Sequence, residues 1–200
     1  SGEKSINMYA VHESHEYFTE AYDLLINTFD DSEELKILLI DLLIKWASVF
    51  YYRGDMKGLT GLLNAHRELA ESVDDKARRG MFYVWLGFAL WLGGKPGESY
   101  HCLHRALKLG EDTGGEEVVA YACLWLSMAC PELGLPDEAI IHGERAQEIA
   151  KHFPKDQFLY SKSLMGLAHS YHYKGETKKV FEIGKIILDY GQSKSNARSL

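Results

Sequence analysis

The sequence predicts an all-α chain: an α-solenoid, a right-handed superhelix of antiparallel helix pairs repeating at about 40 residues. Three observations carry this. A glycine turn recurs, at Gly54 in YYRGDMKGL, Gly94 in LGGKPGES, Gly134 in ELGLPDEA and Gly175 in YKGETKKV, with spacings of 40, 40 and 41. Seven residues before each turn stands a small residue, Ala47, Gly87, Ser127 and Ala168, each preceded by a large apolar one, Trp46, Leu86, Leu126 and Leu167. No segment alternates polar and apolar as a half-buried strand would.

The clearest unit is Tyr83 to Leu107, YVWLGFALWLGGKPGESYHCLHRAL. Gly93 and Gly94 end its first helix, because glycine takes the left-handed conformation that a helix C-terminus often needs. Pro96 starts the second, where its missing N–H costs nothing. Small residues, Gly87 and Ala106, let the two backbones approach. Twelve residues past each turn come His66, Ala106, Ala146 and Ile187, so this later column is small in only two units.

In chain order, residues 8–28 read as a helix in which Phe18 and Ala21 match Leu103 and Ala106, so they form half a repeat. FDDSEE is a loop with acids at the next helix start, where they suit its dipole. The full repeats are 33–72, 75–110, 116–152 and 157–190, each two helices, giving nine helices in one domain over 1–191. Thr113 and Glu116 have capping-box spacing. Residues 192–200 read as a polar, frayed tail.

With 200 residues and 46% hydrophobic content, the chain can bury a substantial core. No apolar run is long enough to span a membrane, and no secretory signal is visible. A net charge of −7 argues against nucleic acid, which needs a basic face. Three cysteines, Cys102, Cys123 and Cys130, an odd count inside helical patterns, suggest buried reduced thiols and a cytoplasmic location. The opening Ser-Gly without methionine points to a fragment of something longer.

The recurring glycine with a small residue seven positions earlier, together with Leu86-Gly87, Leu103, Ala106, Leu126, Ala139, Ala146, Leu167 and Tyr171, resembles the tetratricopeptide repeat family. The match is partial: Leu43, Tyr83, Cys123 and Leu164 fill its opening tryptophan column, and the closing proline is missing. The resemblance implies stacked helix pairs whose first helices line a concave, ligand-binding side. The columns the family uses hold Tyr51 and Tyr52 in repeat one, Trp85, Phe88 and Trp91 in repeat two, Trp125 and Met128 in repeat three, and His169, His172 and Tyr173 in repeat four. These aromatic and thioether side chains imply a groove for a protein or peptide segment. They equally fit bulky residues that fill a tightly wound superhelix. Ser48, Phe88, Met128 and His169 stand where co-chaperone arrays clamp a carboxylate, so such a clamp is not expected.

A narrower resemblance rests on Tyr51-Tyr52-Arg53-Gly54-Asp55, Glu68-Leu69-Ala70-Glu71-Ser72, Trp85-Leu86-Gly87-Phe88-Ala89-Leu90-Trp91 and Tyr17 to Leu25. It is similar to the C-terminal repeat region of bacterial signalling proteins that join a class III nucleotide cyclase to a signal-transduction ATPase. It implies a role in signal transduction and puts the chemistry elsewhere in a parent protein.

No phosphate-binding loop, dinucleotide fingerprint or nucleophile elbow occurs, so no enzyme is expected in these residues. The pairs His12/His15, His101/His104 and His169/His172 each put two imidazoles on one helix face. Each could be half a zinc site, with His169, His172 and Tyr173 the best placed. No third ligand is evident, and packing histidines, with no metal or cofactor, are the expectation. The sequence thus points to a non-catalytic interaction or scaffold module that binds a protein segment or other domains of its own parent. The alternatives are self-association as a homo-oligomer or a sensor domain of a transcriptional regulator.

Overall fold

Glycines 54, 94, 134 and 175 have φ of +74°, +75°, +77° and +78°, and the same pair of hydrogen bonds closes all four turns. Each glycine N–H donates three residues back, to Tyr51, Trp91, Pro131 or His172. The next residue's N–H donates five back, to Phe50, Leu90, Cys130 or Tyr171. This is the left-handed C-terminal lock that only glycine adopts without strain. The recurring glycine is therefore one structural part used four times.

The computed structural model describes residues 2–30 and 32–194. Among them are ten α-helices and no strand. They are α1 (Gly2–Asn27), α2 (Glu33–Arg53), α3 (Met56–Ala65), α4 (Arg67–Ser72), α5 (Lys76–Leu92), α6 (Pro96–Thr113), α7 (Glu116–Ala129), α8 (Pro136–Ala150), α9 (Gln157–Tyr173) and α10 (Thr177–Lys194), with a 3-10 turn at Cys130–Leu133. Each helix packs on the one before it and on the one after, α5 on α6, α6 on α7, α7 on α8, α8 on α9, α9 on α10. That is the nearest-neighbour stacking of a solenoid. Asp55, Asp75 and Asp156 start α3, α5 and α9 by accepting from the N–H of Gly58, Arg78 and Leu159.

The period also appears in ion pairs. Arg105 of α6 pairs with Glu71 of α4, and 40 residues later Arg145 of α8 pairs with Glu111 of α6 at 2.6 Å. Close backbone approach uses small residues, as expected. A Cβ on Gly87 would meet Leu103 Cγ at 2.6 Å, and one on Gly143 would lie 3.1 Å from the Leu167 Cα. Ala106 and Ala146 are fully buried.

Four details differ from the sequence reading. The second helix of repeat one is two helices, because the chain breaks at His66 (φ −109°, ψ 15°). There the His66 ring bonds the Leu62 carbonyl at 2.9 Å through Nδ1 and the Tyr22 hydroxyl at 3.1 Å through Nε2, tying α3 to α1. The first helix of repeat three tightens into the 3-10 turn at Cys130, because Pro131 has no N–H for the carbonyl of Ser127. The Ser170 hydroxyl of α9 takes that carbonyl instead, at 2.9 Å. Thr113 caps nothing. Gly114 (φ +68°) ends α6 right after it, and its hydroxyl turns back to Leu109 and Gly110. Helix α10 extends to Lys194, into the expected tail, while 195–200 lie outside the described residues.

Candidate functional site: an aromatic column and its rim

The first helices of the four pairs, α2, α5, α7 and α9, are joined by a chain of rings. Tyr51 meets Phe88 at 5.5 Å between centroids, Phe88 meets Trp125 at 4.2 Å, and Trp125 meets Phe158 at 6.3 Å. Phe158 then returns edge-on to Tyr51 at 5.7 Å. Trp85 and Trp91 flank Phe88, and Trp91 also stacks on Trp125. Such offset and edge contacts each add about 0.5–1.5 kcal/mol beyond burial.

The column is therefore filled. Phe88, Trp125 and Met128 are 1%, 3% and 7% exposed. These three, expected to face a partner, are core, and the tightly wound reading describes them. Burying a large ring against its own neighbours leaves no area to offer. Tyr51, Trp85, Trp91 and His169 are half-buried. The Trp91 indole is held by the Glu132 carboxylate at 2.8 Å, and His169 lies 4.8 Å from the Tyr173 ring. Tyr52, His172 and Tyr173 stay exposed at the ends of α2 and α9.

Sequence columns missed Phe158. The ring contacts step back along successive helices: Tyr51, Phe88, Trp125 and Phe158 stand 3, 6, 9 and 17 residues before their turn glycines. A fixed column assumes parallel registration, whereas tilted stacking moves the meeting point. An aromatic near the start of the fourth first-helix was the available clue.

Exposed apolar residues gather where the first helices end. Tyr52 and Tyr173, two residues before Gly54 and Gly175, are 47% and 51% exposed, and Leu92, two before Gly94, is 45% exposed. Leu133, beside Gly134, is exposed as well. Tyr52, Leu92 and Tyr173 hold the same position relative to their glycines, where repeat three has Glu132 with Leu133 next to it, so the exposed side chains mark the turn edge as a candidate rim.

One group of potential metal ligands occurs among the described residues, and it is not the pair the sequence favoured. His104 of α6 and Glu138 and His142 of α8 bring their ligand atoms within 4.8 Å of one another. His104 Nε2 lies 3.1 Å and His142 Nε2 3.5 Å from Oε1 of Glu138. The Tyr100 hydroxyl donates to the same oxygen at 3.0 Å, and Cys130 Sγ is 4.0 Å away. Burial works to raise the Glu138 carboxyl, but hydrogen bonds from Tyr100 and His104 and the two imidazoles outweigh it and hold it below its ordinary value. Burial, then His104, pushes His142 down. The sequence signal was Glu138-x3-His142, a carboxylate and an imidazole on one helix face. Its partner His104 is 34 residues earlier, and only the packing of α6 and α8 against α7 brings the two together.

No family model matches the chain, and no curated protein matches it in sequence. Solved structures do match. BtubC (BKLC) from P. vanneervenii superposes with a TM-score of 0.71 at 16% identity, covering 92% of this chain and 74% of that one. A Podosopora anserina putative kinesin light chain with nearly identical TPR-like repeats gives 0.68 at 16% identity, over 98% and 93%. The signal transduction ATPase with a tetratricopeptide repeat sensor from Pyrococcus horikoshii gives 0.67 at 17% identity, over 96% of this chain and 30% of that one. The locked glycine turns, the nearest-neighbour stacking and these superpositions together give the chain the tetratricopeptide-like helical-repeat fold.

Proposed function

We propose that the chain is a non-catalytic interaction and scaffold module, and that it takes up a protein segment, or another domain of a longer protein, along the turn-edge rim. The observation that carries this is the recurrence of exposed apolar side chains, Tyr52, Leu92, Leu133 and Tyr173, at the same end of each first helix. Large apolar and aromatic groups in a row, edged by Glu132 and His172, have the makeup of a contact surface. The buried column behind them keeps the rim rigid, which lowers the ordering cost of binding. The Pyrococcus horikoshii neighbour carries repeats of this kind as the sensor of a signalling ATPase. That supports the narrower reading, a regulatory array in a cytoplasmic bacterial signalling protein of the cyclase–ATPase type.

A photo-crosslinking residue placed at Tyr52 or Tyr173 should trap a partner in cells, and one at His101 on α6 should not. Equal trapping at all three would remove the rim from consideration. A second reading, self-association, is favoured by the last helix, where Phe181 is 69% exposed beside exposed Ile186 and Leu188. Sedimentation velocity over a wide concentration range separates the two, since a chain that stays monomeric does not self-associate.

A further inference from the structure

The junction between the second and third helix pairs holds a cluster that interaction through the rim does not use. Two imidazoles and a carboxylate come from α6 and α8, elements packed on either side of α7. Their spacing is informative. Zinc bonds nitrogen and oxygen at about 2.0–2.2 Å, so tetrahedral ligand atoms sit about 3.3–3.5 Å apart. The Glu138 oxygen lies 3.1 Å and 3.5 Å from its two imidazole nitrogens. Small side-chain rotations would bring all three onto one ion.

We propose that His104, Glu138 and His142 bind a single divalent transition-metal ion of the zinc class. Two imidazoles and one carboxylate suit zinc and its neighbours far better than calcium or magnesium, which take oxygen. The side chains of His104 and Glu138 are 35% and 32% exposed, so an ion can enter from solvent, while His142 is 10% exposed and sits on a rigid helix. Tyr100 supplies the outer hydrogen bond that orients a ligating carboxylate. Three protein ligands leave a fourth position for water or, after a small shift, for the Cys130 thiol. The ion would pin α6 to α8 and stiffen the solenoid between its second and third repeats.

The test uses the untagged chain and zinc chloride alone. Titration calorimetry should find one equivalent bound, with a thermal midpoint that rises as zinc is added. Cobalt(II) in its place should give the intense visible bands of a tetrahedral site. His104→Ala and Glu138→Gln should each weaken binding at least about tenfold, and the double variant His169→Ala/His172→Ala should bind as the parent does. His104 is half-exposed, so its variant should keep its helices by circular dichroism. If it does not, Glu138→Gln and the parent's cobalt spectrum decide. No binding by the parent chain, an octahedral cobalt spectrum, or parental affinity in Glu138→Gln would overturn the proposal.

Discussion

Tyr51 lies edge-on to Phe158 at 5.7 Å although 107 residues separate them. The contact closes the ring column from the first helix pair to the fourth. It makes the inner face of the solenoid a core, with Trp125 at its centre.

Trp125→Ala should therefore act on stability. Removing a 3% exposed indole that touches Phe88, Trp91 and Phe158 should cost about 3–5 kcal/mol. Tyr52→Ala, at a 47% exposed position, should cost under about 1 kcal/mol. Urea unfolding followed by circular dichroism gives both values. A Trp125 variant as stable as the parent would contradict the closed column.

The glycines divide into two kinds. Gly94 has φ +75° and nothing within 4 Å of an added Cβ, so Gly94→Ala pays only backbone strain, about 1–2 kcal/mol, and Gly94→Asn less. Gly87 is helical but pressed on Leu103. Gly87→Ala should cost about 1–3 kcal/mol, and Leu103→Ala in the same chain should offset part of that. A double-mutant cycle that finds the two changes strictly additive would argue against the contact.

Acid should weaken the N-terminal junction. The Trp46 indole N–H donates to Nδ1 of His15 at 3.1 Å, which requires that nitrogen to be unprotonated. Burial, then Arg53, holds His15 below its ordinary 6.5, and burial does the same for His169. A folded-state value below the unfolded one means that the unfolded chain binds more protons. Stability is then fully present above about pH 6.5 and is lost as pH falls through the folded values. Urea midpoints at neutral and mildly acidic pH should show the decline, with a smaller slope in His15→Gln. A flat profile in the parent chain would count against it.

The thiols should be inert until the fold opens. Cys102, Cys123 and Cys130 are all buried, and burial pushes the last two up to about 12. Since the thiolate is the reactive form, a disulfide reagent should label the native chain slowly and the urea-unfolded chain at once. Fast labelling of native protein would show an opening that the packed helices do not suggest.

The stretch 55–72 shows where local reading stops. Its apolar spacing suits one continuous helix, yet His66 breaks it, because a ring that bonds both Leu62 and Tyr22 favours the break. Tyr22 is 44 residues away and has no signature in the local pattern. Pro131, in contrast, carries a local signal, its missing N–H, which the reading of one unbroken first helix in repeat three passed over; only the repair by Ser170 needed the third dimension.

By itself the sequence determined the repeating helix pair, since a left-handed glycine, a starting proline and a small residue at the crossing act within a few residues of where they stand. The tertiary structure alone decided which members of the aromatic column are surface and which are core. It also decided that His104 meets Glu138 and His142. Those outcomes depend on the tilt at which one helix pair settles on the next, and that tilt is a sum of many packing contacts rather than a property of any single turn.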